Sequence, residues 1–119
     1  MNTAELGIYG ENLAVTYLIK KGYHVIERNY RFKKNEVDII CLDHETLVIV
    51  EVKTRQTAEI GEPWRAVTKQ KQKQLIQVAN FYLQSKQIDL TTRFDIVSIV
   101  HNSYRTEIEH IPDAFYPLV

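Results

Sequence analysis

Glu36-Val37-Asp38-Ile39-Ile40-Cys41-Leu42 and Leu47-Val48-Ile49-Val50-Glu51-Val52-Lys53-Thr54 are two runs rich in β-branched residues, joined by Asp43-His44-Glu45-Thr46. Such runs around a short polar connection read as an antiparallel hairpin. If Leu42 faces Leu47 across the turn, opposed residue numbers sum to 89. Asp38 then lies opposite Glu51, and Glu36 opposite Lys53. Directly opposed side chains share a face, with Cβ atoms about 4.5–5.5 Å apart. Period-2 alternation puts Glu51 and Lys53 on that face as well, about 6–7 Å apart. Glu36, Asp38, Glu51 and Lys53 thus form one polar patch on strands that otherwise read Val37-Ile39-Cys41 and Val48-Val50-Val52. A one-residue slip of register would destroy it.

The hairpin sits inside a longer alternation of elements. Thr3 can cap a first helix running to about Lys21, with Leu6, Leu13, Tyr17 and Leu18 on its inner face and Gly22 as its stop. Gly7 and Gly10 each cost that helix about 1 kcal/mol relative to alanine, an expense that a close backbone approach would explain. Tyr23 to Arg31 reads as a strand and Phe32 to Asn35 as a turn. Glu62-Pro63-Trp64 starts a second helix, proline being well suited to a first turn. Leu75, Ile76, Ala79, Tyr82 and Leu83 continue it at helical spacing. Arg93 to His101 alternates as a strand, and Thr106 to Ile111 is its candidate partner. The expected fold class is α/β (α+β), with a mixed central sheet flanked by helices.

A chain of 119 residues makes one domain, here 1–119. Hydrophobic residues at 45% and charged residues at 25% argue against disorder. No apolar run approaches the roughly 18 residues of a membrane span. Met1 to Glu5 lacks the layout of a signal peptide, so the expected location is cytoplasmic, with no membrane partner. The lone Cys41 excludes an intrachain disulfide and a cysteine-based zinc site, and reads as a small core hydrophobe. His24, His44, His101 and His110 lack ligand spacing.

Basic and acidic residues number 15 each and cancel, but they are segregated. Between Pro63 and Ile88 stand Arg65, Lys69, Lys71, Lys73 and Lys86 with no acid, and Arg28 to Lys34 carries four more basic residues. Lys69, Lys71 and Lys73 begin the second helix, where cations and backbone amides suit phosphate; a solvated helix face explains them equally well. Arg93 and Asp95 share a strand face as structural partners. Trp64 reads as hinge packing or as a stacking platform for a base.

Two opposed carboxylates repel, and a shared proton, Lys53 or a divalent cation would offset that repulsion. Oxygen-only ligands at this density suit Mg²⁺ or Mn²⁺. Lys53 would then orient water or stabilise charge on phosphate. A salt-bridge network in which Lys53 neutralises Glu36 and Glu51 accounts for the same residues.

Asp38 followed by Glu51-Val52-Lys53 resembles the Asp…(Asp/Glu)-x-Lys signature of the PD-(D/E)xK nucleases. The wider pattern resembles the YraN family of bacterial proteins over about residues 5 to 100: Gly7-x-x-Gly10-Glu11-x-x-Ala14, Asn29, Glu36-Val37-Asp38-Ile39-Ile40, Val50-Glu51-Val52-Lys53-Thr54-Arg55, Lys71 with Leu75 and Ala79, and Arg93-Phe94-Asp95-Ile96-Val97. The resemblance implies a restriction-endonuclease-like α-β-β-β-α-β core. It also implies metal ligation by Asp38 and Glu51, a catalytic Lys53, and Glu11 as the helical acid that archaeal Holliday-junction resolvases place near the metal. Asn35 departs from the family's usual glycine before Glu-x-Asp, in a turn where asparagine tolerates positive φ.

The leading expectation is a divalent-metal-dependent endonuclease-like protein acting on branched DNA. Arg55, Lys69, Lys71 and Lys73 would contact nucleic acid. A domain of this length is about 35 Å across, roughly one turn of duplex, so cutting both strands favours a homodimer. The alternative is a non-catalytic nucleic-acid-binding module of the same fold acting with a partner protein.

Overall fold

The computed structural model describes residues 1–57 and 67–115. Helix α1 (Thr3–Lys20) is followed by β1 (His24–Phe32), β2 (Asn35–Asp43) and β3 (Thr46–Arg55); α2 (Lys69–Ser85), β4 (Thr91–His101) and β5 (Thr106–Ile111) complete it. The five strands form one sheet in sequence order. Both hairpins of β1-β2-β3 are antiparallel, β4 lies parallel to β3 after the α2 crossover, and β5 returns antiparallel. The result is the expected mixed sheet with a helix on each face. Among the described residues no helix is long and apolar enough to cross a membrane.

Strand alternation divides the core in two. Ile39 and Cys41 of β2, Val48 and Val50 of β3, and Val97 and Ile99 of β4 pack with Ala14 and Leu18 of α1. Ile40, Leu47, Ile49, Phe94 and Ile96 point the other way, onto Leu75, Val78, Ala79 and Tyr82 of α2. Burying both faces explains why β2, β3 and β4 carry near-continuous apolar runs. Cys41 is fully buried, and desolvation pushes its thiol up to about 12.

The element boundaries correct several sequence expectations. The N-cap of α1 is Asn2, not Thr3: its Oδ1 accepts the Glu5 N–H at 2.8 Å, and Glu5 Oε1 accepts the Asn2 N–H at 3.1 Å. That reciprocal pair needs an acid three residues after the cap, and Thr3 has Leu6 there instead. Gly22 ends the helix as expected, with φ of 96°. In the β1–β2 turn the left-handed residue is Lys33 (φ 57°), while Asn35 is already in β2 opposite Phe32. Helix α2 starts at Lys69 because Thr68 has extended backbone and its Oγ1 accepts the Lys71 N–H at 3.1 Å. The earlier start expected at Glu62-Pro63-Trp64, like Arg65, lies outside the described residues.

Arg93 and Asp95 do pair, at the centre of a larger buried network. Arg93 Nε and Nη2 donate to the two Asp95 oxygens at 2.9 and 3.0 Å, and its other contacts are Asp43 (3.0 Å) and the Tyr23 hydroxyl (2.8 Å). His110 Nε2 donates to Asp95 at 2.7 Å, while Lys21 Nζ donates to His110 Nδ1 at 3.0 Å. An ammonium has no acceptor, so Nδ1 must be bare and Nε2 must carry the imidazole proton. The network joins the end of α1, the β2–β3 turn, β4 and β5. His110, without ligand spacing in the sequence, is one of its buried pillars.

Only one of the two helical glycines marks a close approach. A Cβ on Gly10 would collide with the Thr54 side chain, 2.7 Å from its Cβ, whereas a Cβ on Gly7 would meet nothing within 4 Å. Gly10 therefore lets α1 lie directly on β3 beside the hairpin's carboxylates. Gly10→Ala should lower stability by about 1–3 kcal/mol through overpacking, and Gly7→Ala should raise it by up to about 1 kcal/mol through helix propensity. Denaturant melts of the two variants test this pair of opposite signs.

Candidate metal and phosphate site

The β2–β3 hairpin adopts the register in which opposed numbers sum to 89, from Asp43↔Thr46 to Ile39↔Val50. There the ladder stops. Asp38 turns its carboxylate into the gap, and its Oδ2 accepts the Val52 N–H at 2.7 Å. The side chain has taken a donor that a continuing ladder would have used.

Beyond this point β2 changes face. Val37 lies in the α2-side core although Ile39 lies in the α1-side core. The change lies beside Asn29 on β1, which has φ of 51° in mid-strand between the pairs Arg28↔Ile39 and Tyr30↔Val37. Asparagine is among the residues that tolerate this left-handed conformation. Its side chain makes use of it: Nδ2 donates to Glu11 Oε1 at 2.7 Å and to Glu36 Oε1 at 3.0 Å.

The face change overturns one expected neighbour. Glu36 does not stand opposite Lys53; its carboxylate is held by Asn29 and by Arg31 Nε at 3.0 Å. The four-residue patch of the ideal register is therefore divided. Asp38 and Glu51 are in contact, while Glu36 belongs to a second cluster with Glu11 and Asn29 on the α1 side. Glu11 remains within electrostatic reach: burial raises its pKa first, and the charges of Asp38 and Glu36 add to that against the Asn29 hydrogen bond and Arg28. Lys53 keeps Glu51's strand face by alternation, and its ammonium makes no hydrogen bond or ion pair with a described residue.

Glu51 is buried at 6% exposure, and its Oε2 has no hydrogen-bond partner among the described residues. Among the described residues its nearest cation is Lys71 Nζ, 3.8 Å away and beyond hydrogen-bond length. The same ammonium reaches the Glu36 carbonyl oxygen at 3.5 Å. Burial, together with the hydrogen bond to Glu51 and that residue's charge, pushes Asp38 up to about 8, against the pull of the Val52 N–H and Lys71. Among the described residues no three acidic or imidazole groups close into a ready-made metal cage. Two carboxylates with an uncompensated buried oxygen do suit Mg²⁺ or Mn²⁺, since Mg²⁺ ordinarily takes one or two protein carboxylates and completes its shell with water and phosphate.

Sequence reasoning missed two participants in this geometry. Asn29 belonged to the family pattern without a role, and only its left-handed backbone shows why its amide meets two acids. Lys71 read as a nucleic-acid contact, yet its ammonium points inward. Lys69 and Lys73 are exposed at the start of α2, and Arg55 ends β3. Trp64 lies outside the described residues.

The family model described as uncharacterised protein family UPF0102, the YraN family of the sequence resemblance, matches residues 10–99. A UPF0102 protein of Christiangramia forsetii is 47% identical over 112 residues, covering 94% of each chain. A UPF0102 protein of Chlorobium chlorochromatii is 46% identical over 121 residues, covering 97% of this chain and 94% of its own. One from Geobacter metallireducens is 44% identical over 116 residues, covering 97% and 95% respectively.

A raised acid pKa has a definite sign for stability. At low pH folded and unfolded chains both hold the Asp38 proton. As pH rises from about 4 towards 8 the unfolded chain releases it and the folded chain retains it, so stability is lost across that window. Asp38→Asn keeps an acceptor for the Val52 N–H and removes the charge. It should therefore be more stable than wild type by about 1–3 kcal/mol at pH 8, with the gap closing near pH 4. Melting curves of both proteins across that range measure it.

Proposed function

The chain belongs to the uncharacterised protein family UPF0102, and because that name carries no reaction the side chains must: we propose that it is a divalent-metal-dependent, nuclease-like protein acting on the phosphodiester backbone of branched DNA. The observation that carries this reading is the half-buried Asp38 against the buried Glu51, whose Oε2 makes no hydrogen bond among the described residues. A protein that only needed structure here would gain stability by losing one of the two acids. Keeping both makes sense where a dication is to be held.

Asp38 and Glu51 would hold Mg²⁺ or Mn²⁺, with Glu11 close enough to share the field. When bound, such an ion polarises a phosphoryl oxygen and acidifies coordinated water. Asp38 must give up its proton for this, so its raised pKa sets the proton in competition with the ion, and loading would strengthen as pH rises towards 8. Val52 N–H holds one Asp38 oxygen, and the ion would take the place of the proton that Asp38 shares with Glu51. Lys53, on Glu51's face and without a described partner, keeps its charge for the phosphate or for orienting the attacking water. Arg55, at the end of β3, and the exposed Lys69 and Lys73 of α2 would bind flanking phosphates and make affinity fall with salt. Cleavage of both strands at a junction would call for two copies of the chain.

The division of the acidic patch favours a second reading, a nucleic-acid-binding module that does not cut, because only two carboxylates meet directly. One experiment separates the two. Mn²⁺ should raise the melting temperature of the wild type by several degrees, about what 1–2 kcal/mol of native-state binding gives, and leave Asp38→Asn unchanged. Branched DNA should be cut by the wild type and not by Asp38→Asn or Lys53→Ala. Salt-sensitive DNA binding with neither a metal shift nor cutting would establish the binding module instead.

A further inference from the structure

Lys71 occupies an unusual position for a lysine in the first turn of a helix. Its neighbours Lys69 and Lys73 point to solvent, while Lys71 is two-thirds buried, with its side chain 32% exposed. The Thr68 cap fixes its backbone, and the side chain crosses from α2 to the open end of the β2–β3 ladder. There its ammonium lies 3.8 Å from the buried Glu51 Oε2 and 3.5 Å from the Glu36 carbonyl oxygen, and its charge acts on Asp38. Neither contact is short. An ammonium donates at about 2.7–2.9 Å when it commits to a carboxylate, and Glu51 Oε2 has no hydrogen bond at all among the described residues.

The charges show what this arrangement does. Asp38 and Glu51 together offer up to two negative charges and Lys71 supplies one positive. A lysine held loosely against a pair of buried acids keeps the empty site tolerable without filling it. A dication would neutralise both acids by itself and leave the ammonium as surplus positive charge within a few ångströms. At that separation two cations repel by kilocalories even at the dielectric of a protein surface, so both cannot stay.

We propose that Lys71 is the site's tethered counter-cation: it competes with the divalent ion for Asp38 and Glu51 and swings out to the Lys69–Lys73 rim when the ion enters. The inference rests on the metal-site reading and deepens it, by assigning an inward-facing residue the task of gating metal loading. Its consequence is a coupling between ligands. The ammonium that leaves the acids joins the surface where phosphate would lie, so metal entry adds one positive charge to that surface. Anion binding there in turn favours metal entry, since coupling is reciprocal. A lysine with four rotatable carbons on a fixed first turn can make this move without disturbing the helix.

Titration calorimetry with Mn²⁺ alone on wild type, Lys71→Met, Lys71→Gln and Lys71→Arg tests it. Loss of the positive charge in Lys71→Met and Lys71→Gln should tighten Mn²⁺ binding about tenfold or more, a change of about 1.4 kcal/mol. Lys71→Arg, which keeps a cation, should stay near wild type. The Mn²⁺-induced rise in melting temperature should grow in the same order. If wild type binds Mn²⁺ and the neutral variants bind it equally or more weakly, Lys71 supports the ligands rather than competing with them; this inference is then wrong and the metal site stands. If neither the wild type nor the neutral variants take up Mn²⁺, both fall. The two neutral replacements differ in polarity, so misfolding of one leaves the other to give the answer.

Discussion

Two carboxylates meeting at one poorly solvated corner repel when both are ionised, and that constraint organises the open end of the sheet. Asp38 and Glu51 meet because β2 and β3 stop pairing after Ile39 and Val50. The ladder ends there because Asp38 takes the Val52 N–H, and β2 changes face next to the left-handed Asn29. Each of these departures costs stability in a sheet whose remaining interior is continuous apolar packing. Departures of this kind concentrate where a site must be held in a conformation that packing alone would not choose.

The same sheet contains a second buried acid with the opposite fate. Asp95 is even less exposed than Asp38, and burial alone would raise it too. Hydrogen bonds from His110, Arg93 and the Asp113 N–H outweigh that penalty and hold it below the ordinary carboxylate range. Asp38 has one backbone donor, a distant ammonium and another carboxylate beside it. One acid is fully satisfied and anchors the network that joins the end of α1, the β2–β3 turn, β4 and β5; the other has fewer donors. The contrast in donors separates a structural carboxylate from a candidate ligand.

The supporting parts fit this division. Gly10 brings α1 against Thr54, which sets Glu11 near the hairpin's acids. Asn29 then holds Glu11 and Glu36 together on the α1 side, and the Thr68 cap sets the angle from which Lys71 enters on the α2 side. The acids lie at the junction of two packed faces, reached from one side by a helix acid and from the other by a helix lysine.

Most of the architecture is written in local patterns. The order of elements, the hairpin register and the pairing of Arg93 with Asp95 follow from alternation, β-branched runs and a short turn, all of which act within a few residues. Asp38 and Glu51 as a pair follow from the same register arithmetic. Glu36 did not follow it, because arithmetic assumes an unbroken ladder and the β2–β3 ladder ends at Ile39↔Val50, before Glu36 is reached. The inward turn of Lys71 and the burial of His110 lay equally beyond local reading. Lys71 is separated from Glu51 by a crossover, and His110 from Lys21 by 89 residues. The sequence by itself thus determined which strands pair and which acids oppose each other, since neighbouring residues decide that. Tertiary structure alone decided which cation reaches those acids and which carboxylate oxygen makes no hydrogen bond among the described residues, since that depends on how two helices close over a sheet from opposite sides.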